Sequence, residues 1–518
     1  MIVRYTSKAK GELMKYSFSG GLVLEKKGGL TQEKIVSAEI PPFLVVPLLQ
    51  HIGTATQPIV KVGDRVLKGQ MIAECGSEKC SVPMSAPIHA PSSGTVVAIE
   101  ARSVPHPSGL QDICIIIETD GKDEWIPSEI IDDCTHLAPD VLRHKIAQAG
   151  IVGLGGAGFP SHLKLQVGDI HTLILNGAEC EPLISCDDHL MRERPTEVII
   201  GARILAYALG GVKRCIIAIE DNKPQAYQAL KSVADSGLDH LHVAAETFEI
   251  VQVPTRYPAG GEQQLIKVLL NQELPKKMLP RQLGIVVHNV GTAAAVFRAV
   301  KWGQPLISRI VTVTGDAVET RQNLEVLLGT PINYLLKKSN LNKALHQLIL
   351  GGPMMGFNVP SADLPIVKTA NCVIALSQPI EKTQDMPCIR CGSCEQVCPA
   401  NLLPQQLYWY ARAKDFEKIQ DYQLFECIEC GCCAYVCPSQ LPLVQYYRYA
   451  KSEIRSQVKE KLKAQQAKQR FEFRVFRQER DKAERAARHQ QAGDKKAFLA
   501  AAIARKAAQS TTPPEESS

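Results

Sequence analysis

The sequence predicts a multidomain chain of mixed α/β and α+β character, closed by a helical, cysteine-rich domain. Three observations carry that prediction. At 518 residues the chain is too long for one hydrophobic core, so roughly three to five domains are expected. Near residue 140 the texture changes from short strands between glycine turns to strands alternating with helices. Further on, CxxCxxCxxxCP occurs twice, at Cys388, Cys391, Cys394 and Cys398 before Pro399, and at Cys427, Cys430, Cys433 and Cys437 before Pro438.

Residues 1–130 form the first unit. PIVKVGDRVLKGQMIAE and HAPSSGTVVAIE read as short strands, and VKVGDRVLKGQ with APSSGTVVAI resembles the barrel-sandwich hybrid of biotinyl and lipoyl carrier domains. The modified lysine of those carriers lacks its usual hairpin here. Lys79 stands in SEKCSVPMSAPIHA without that context, so a structural domain is expected. Residues 131–308 form an α/β domain, with a helix at Asp140–Ala149, a strand at Thr172–Asn176, and strands CIIAIE and LHVAAE between helices. This alternation implies a parallel sheet with ligands at strand ends and helix N-termini. A short β-rich unit, beginning RIVTVTGDAV, covers 309–371, and the cysteine domain covers 372–447 with helix-like QQLYWYARAKDFEKI between its two runs.

Each cubane needs four soft thiolates, three of them from one tight loop, and two intervening residues let consecutive sulfurs converge. In two-cluster ferredoxins the cysteine before the proline reaches across to the other cluster. That rule pairs Cys388, Cys391, Cys394 and Cys437 on one [4Fe-4S] cluster, and Cys398, Cys427, Cys430 and Cys433 on the other. Zinc sites use two cysteine pairs rather than two complete runs ending in CP. Cys432 is an adjacent bystander thiol. Cys75, Cys80, Cys114, Cys134, Cys180, Cys186, Cys215 and Cys372 are scattered, as packing thiols in a reducing compartment are.

Within the α/β domain, GLGGAGFP spans residues 153–160 and Lys164 follows. Glycines let backbone amides approach a phosphate, and a helix start adds a favourable dipole. The loop satisfies GxGxxG at Gly153, Gly155 and Gly158, but a helix rather than a strand precedes it, so a flavin or nucleotide loop of another fold is expected. NGAECEP follows at 176–182, GGEQQLI at 260–266 and HNVGTAAAV at 288–296. On these four motifs the chain resembles the flavin- and NADH-binding subunit of respiratory complex I, whose segments read GRGGAGFP, NxDExEP, GEETALI and NNVET. With the hybrid domain in front and the two cysteine runs behind, it resembles, over roughly residues 15–445, the RnfC (RsxC) family of the ion-translocating Rnf electron-transport complexes.

The resemblance implies a complex-I-like flavin/NADH domain, a β-grasp-like (SLBB) unit over 309–371 and a two-cluster ferredoxin domain. It implies FMN as cofactor, NADH as substrate, and the other subunits of a membrane-bound complex as partners, an iron–sulfur subunit among them as electron partner. Residue by residue, Gly156, Gly158 and Lys164 match the flavin-phosphate and nicotinamide-side loop, and Phe159 an aromatic platform for the nicotinamide nucleotide. Asn176, Glu179 and Glu181 match polar positions around flavin and nicotinamide, and Gly261, Glu262, Asn289 and Thr292 the remaining flavin contacts. Lys164 and Glu181 are the candidate catalytic pair. Lysine meets a phosphate as a point charge, and carboxylates hold ribose hydroxyls. Ala178 stands where complex I has aspartate, Gln263 replaces a second glutamate, and Val167 replaces an aromatic; these changes touch the NADH geometry more than the flavin geometry.

Residues 448–518 form a basic helical or disordered tail. Residues 451–518 hold 17 Lys or Arg against 9 Asp or Glu, while the rest of the chain is near neutral at 42 against 44. Such a tail suits an anionic membrane face, an acidic partner or plain solubilisation. Nucleic acid is a weaker option, and none is expected as a partner. The N-terminus lacks a signal-type apolar core, and Phe43–Leu49 and Ile113–Ile117 fall far short of the about 20 residues a span needs. Together with the membrane-bound bacterial complex that the resemblance implies, the expected location is peripheral, on the cytoplasmic face of the inner membrane.

Overall fold

A computed structural model describes residues 17–24, 33–76, 84–107, 109–166, 168–236, 244–276, 278–379 and 386–509. Lys79, Cys80 and Val167 lie outside the described residues. In the first unit, Phe43–Pro47, Gln111–Thr119, Gly94–Ser103 and Arg65–Val66 pair antiparallel in that order, over a second sheet of Gln57–Pro58, Met71–Glu74 and Ile88–His89. Alternation sends Leu44, Val46, Val96, Ile115 and Ile117 inward to meet Ile72 and Ile88, and leaves Ile113 at the surface.

The α/β domain is built on four parallel strands in the order Ala245–Val253, Val212–Glu220, Thr172–Gly177, Ile285–Asn289. Leu173, Ile174, Leu175, Ile216 and Ile217 are buried on both faces, as a sheet covered by helices on both sides requires. The third predicted strand, LHVAAE, falls partly outside the described residues, and the strand itself starts later, at Ala245. All four strands deliver their carboxyl ends to one edge, where Asn176 and Asn289 lie directly paired in register.

A six-stranded mixed sheet follows, in the order Val36–Ser37, Gln322–Leu327, Ser308–Gly315, Cys372–Leu376, Gln347–Leu350, Phe357–Asn358. Two of its strands come from outside the 309–371 segment. Cys372–Leu376 is central, parallel to Ser308–Gly315, because the run CVIAL is almost wholly buried. Cys372 thus belongs to this sheet and not to the cysteine domain. In that domain the helix expected over QQLYWYARAKDFEKI divides into Pro404–Ala413 and Phe416–Asp421. Lys414 takes a left-handed conformation between them, and the Asp415 carboxylate caps the second helix by accepting from Lys418 N at 3.1 Å. Among the described residues the tail forms one helix, Leu443–Gln509. Its buried positions Leu443, Tyr447, Ala450 and Ile454 recur at helical spacing and then stop, so beyond Ile454 the helix is almost wholly exposed. Among the described residues no helix is long and apolar enough to cross a membrane.

Two buried cations join the units. Lys368 Nζ donates to Pro87 O at 2.9 Å and Gly150 O at 2.7 Å, and its backbone N–H donates to Gln50 Oε1 at 3.1 Å. Burial lowers its pKa to about 7, and a neutral amine still has the two hydrogens those carbonyls need. Arg309 reaches the Lys368 and Leu154 carbonyls. Burial, then the charges of Lys368 and Lys164 respectively, lowers the pKa of His89 and of His288 to about 3. These folded values lie below the unfolded value of about 6.5, so the folded chain binds fewer protons. The resulting stability is present above pH 6.5 and is lost as pH falls toward 3. We expect the urea midpoint of the full chain to drop between pH 7.5 and pH 5, and His89→Leu to flatten that drop; parallel pH profiles would contradict this.

Candidate electron-transfer site

The two cysteine runs fold into matching loops. Arg390 and Gly392 in the first, and Glu429 and Gly431 in the second, all take left-handed conformations that curl the backbone around a small cavity. Cys388, Cys391, Cys394 and Cys437 line one cavity, and Cys398, Cys427, Cys430 and Cys433 line the other. The structure therefore brings together the two crossed sets of four. Cys432 also lines the second cavity and packs beside Tyr257. Backbone amides of Leu402 and Glu429 donate to the Cys398 and Cys427 sulfurs, each at 3.4 Å. Lys451, itself buried, donates to Cys427 O at 2.6 Å and Glu429 Oε1 at 2.8 Å. Burial pushes the Cys427 thiol up to about 11 against the pull of Lys451. Converging sulfurs and wrapped backbone fit a cubane at each position, and the N–H···S donors to Cys398 and Cys427 add to the fit of the second.

The cavities differ in setting. The first opens at the surface through exposed Cys391 and Ile389, the latter 67% exposed. The second faces the α/β domain: Tyr257 Oη donates to Cys430 O at 2.6 Å, and Gln264 Nε2 donates to Pro399 O at 3.3 Å.

At the strand ends of the α/β domain, Gly155, Gly156 and Ala157 present an exposed loop, and a Cβ on Gly156 would meet open space. Phe159 is half-buried beside it. Thr292 Oγ1 accepts from Leu154 N at 3.0 Å and anchors the loop to the helix Val290–Lys301, whose cap Asn289 Oδ1 accepts from Gly291 N at 2.8 Å. Asn176 Nδ2 donates to Gly260 O at 2.8 Å, which ties the first motif to the segment before Gly261 and Glu262. Lys164 Nζ donates to Glu262 Oε1 and to Val287 O, both at 2.9 Å. Exposed amides, a lysine and a capped helix N-terminus on one edge fit a flavin phosphate.

Two predicted residues are engaged elsewhere. Glu179 accepts from Asp187 N at 3.0 Å and Asp188 N at 3.3 Å, and so caps the helix Cys186–Glu193. Glu181 accepts from Met354 N at 3.2 Å and Met355 N at 2.8 Å, on the six-stranded unit, and burial raises its pKa to about 7 against those donors. Lys164 and Glu181, the candidate catalytic pair, are thus held by different partners. Sequence reading missed Tyr257, whose only signal is its place three residues before the GGEQQLI motif, and Asp187. The latter accepts from Asn289 Nδ2 at 2.6 Å, and its pKa is pushed up by burial and the Glu179 charge. A cavity of about 370 Å³ lies at the junction of three units, and its Arg194, Arg298, Glu197 and Glu325 already pair with one another.

Residues 146–298 match the family described as Nuo51 FMN-binding domain, residues 16–122 the RnfC barrel sandwich hybrid domain, and residues 387–441 the 4Fe-4S dicluster domain. Fold and site together define a protein class in which an FMN-binding domain is joined to a dicluster iron–sulfur domain. The chain is 48% identical over 486 residues to the C-subunit of an ion-translocating oxidoreductase complex from Vibrio cholerae serotype O1, covering 92% of this chain and 61% of that one. The Pseudomonas aeruginosa protein of the same description is 47% identical, with 91% and 60% covered. That of Salmonella arizonae is 42% identical, with 96% and 74% covered. The chain belongs to this RnfC family of ion-translocating oxidoreductase complexes, the one its motifs resemble. It spans about 60% of the length of the Vibrio and Pseudomonas relatives. An NAD+-reducing [NiFe]-hydrogenase in the H2-reduced state aligns at TM-score 0.45 and 19% identity, over 60% of this chain and 61% of that one.

Gly158 has φ +64°, and a Cβ there would lie 2.6 Å from Thr369 Cγ2. Gly158→Ala is expected to lift the loop and weaken FMN binding roughly tenfold, the equivalent of the about 1 kcal/mol or more that a left-handed alanine costs. Fluorescence titration with FMN measures this; an unchanged Kd would contradict it.

Proposed function

We propose that the chain is the peripheral electron-input subunit of a membrane-bound ion-translocating oxidoreductase complex, passing electrons between NADH and two [4Fe-4S] clusters by way of FMN. One observation carries the reading: the second cysteine cavity abuts the Tyr257–Gln264 segment through the Tyr257–Cys430 and Gln264–Pro399 hydrogen bonds. The chemistry FMN supplies when bound is to take a hydride from NADH, with a proton from solvent, and release the two electrons singly. The glycine loop, anchored by Thr292, and Lys164 would hold its phosphate end, with Asn176, Gly261, Glu262 and Asn289 around it. Phe159 would stand toward the nicotinamide side, which Glu181, engaged by the Met354 and Met355 amides, would tie to the six-stranded unit, while Glu179 would support that side by capping the helix Cys186–Glu193.

Cys398, Cys427, Cys430 and Cys433 would hold the inner cluster, and Cys388, Cys391, Cys394 and Cys437 the outer one. Exposed Met386, Ile389 and Cys391 then mark the face where an iron–sulfur partner subunit exchanges electrons. The position at the cytoplasmic face of the inner membrane belongs to the same proposal, with ion translocation carried by other subunits. A cluster-only relay is the second reading, favoured by the ion pair that already engages Lys164 with Glu262 at 2.9 Å.

Anaerobic protein loaded with iron, sulfide and FMN tests both. NADH is expected to bleach the flavin and raise reduced-cluster signals by electron paramagnetic resonance; clusters that answer to dithionite but not to NADH would leave the relay. In the same assay Cys398→Ser should abolish or alter the inner-cluster signal and spare that of the cluster bound by Cys388, Cys391 and Cys394. Loss of the outer signal instead would overturn the crossed pairing.

A further inference from the structure

A short N-terminal segment lies in the seam between the α/β domain and the inner cysteine cavity. Phe18 is buried in the apolar cluster of Ile174, Ala218 and Leu265. The Arg256 guanidinium stacks 4.9 Å over its ring and donates to the carbonyls of Phe18 and Gly20. Gly21 N then donates across the seam to Val397 O at 2.9 Å, and Leu22 exchanges backbone hydrogen bonds with Tyr257 at 2.7 and 2.8 Å. The fit leaves no room for side chains at two positions. Gly20 has φ +63°, and a Cβ there would lie 2.6 Å from the Cys398 carbonyl; Gly21 has φ +77°, and its Cβ would lie 2.6 Å from Tyr257 O.

We propose that Ser19–Leu22 is a positioning strap for the inner cluster, and that Tyr257 is the positioning residue it works through. The strap holds the backbone of one ligand, Cys398, and fixes the main chain of Tyr257, whose hydroxyl is thereby kept on the carbonyl of a second ligand, Cys430. Cluster potential depends on hydrogen bonding and solvent exposure around the ligands. The strap therefore sets the inner cluster's potential and its seat against the α/β domain. No strap contact reaches Cys388, Cys391, Cys394 or Cys437 among the described residues. The outer cluster is accordingly an internal control. The inference rests on the crossed assignment of cysteines proposed above.

The test is a redox titration of the full holoprotein with dithionite and mediators, without NADH, followed by electron paramagnetic resonance. Tyr257→Phe removes one donor that stabilises the more negative reduced state, so the inner midpoint potential should fall while the outer one stays. Gly20→Ala must displace Cys398, and should shift the inner signal with bound iron unchanged. If both variants titrate like the wild type, or if both clusters shift or vanish together in Tyr257→Phe, the strap has no tuning role and the inference is overturned. Separately, flavin bleaching by NADH in wild type and Gly20→Ala reports on the flavin reading. Its failure in both would sink that reading and leave the dithionite result to decide the strap.

Discussion

The hydroxyl of Tyr257 on the carbonyl of Cys430 is the contact on which the arrangement depends, because it is where a nucleotide-type sheet and a cysteine domain meet at hydrogen-bond distance. Neither unit alone explains the other's position. The α/β sheet brings Asn176, Asn289 and the glycine loop to one edge, as parallel strands do with polar residues at their carboxyl ends. The cysteine domain winds two loops around two cavities. What couples them is a small apolar seam of Tyr257, Cys430 and Cys432, flanked by Cys180 and Met354. Water excluded from that seam strengthens the hydrogen bonds within it.

The same logic of buried polar joints recurs at the other end of the glycine loop. Lys368 and Arg309 serve carbonyls of Pro87, Gly150 and Leu154, so the sandwich unit, the six-stranded unit and the α/β domain share one set of hydrogen bonds. Ile52 N donates to Gly158 O at 3.0 Å and fixes the loop from the sandwich side. A loop that must offer exposed amides to an anion cannot be stabilised by its own burial. Its shape is set by neighbours that come from distant parts of the chain.

Those distances explain what was legible in the sequence. The cysteine runs, the glycine loop, the sandwich repeats and the strands Thr172–Gly177 and Val212–Glu220 are local patterns, written within a dozen residues each, and the family comparisons agree with the units they mark. The break at Lys414 was hidden because a left-handed lysine has no composition signal. Cys372–Leu376 looked like the edge of the cysteine domain because nothing local says which sheet an apolar strand joins. Glu179 and Glu181 show the same limit: their motif marks a polar strand end, but the amides each accepts from lie on the helix at Asp187 and, far along the chain, on the loop at Met354. Tyr257 and the glycines at 20 and 21 matter through partners more than a hundred residues away, which spacing cannot encode.

The central claim is that crossed cysteine sets place one cluster against Tyr257 and the other at the surface. Iron-edge anomalous diffraction from anaerobically loaded crystals tests it most directly. The account predicts two four-iron sites, one within Cys398, Cys427, Cys430 and Cys433 beside Tyr257, the other within Cys388, Cys391, Cys394 and Cys437 beneath Ile389. Iron bound by each run on its own, or a single site, would contradict it.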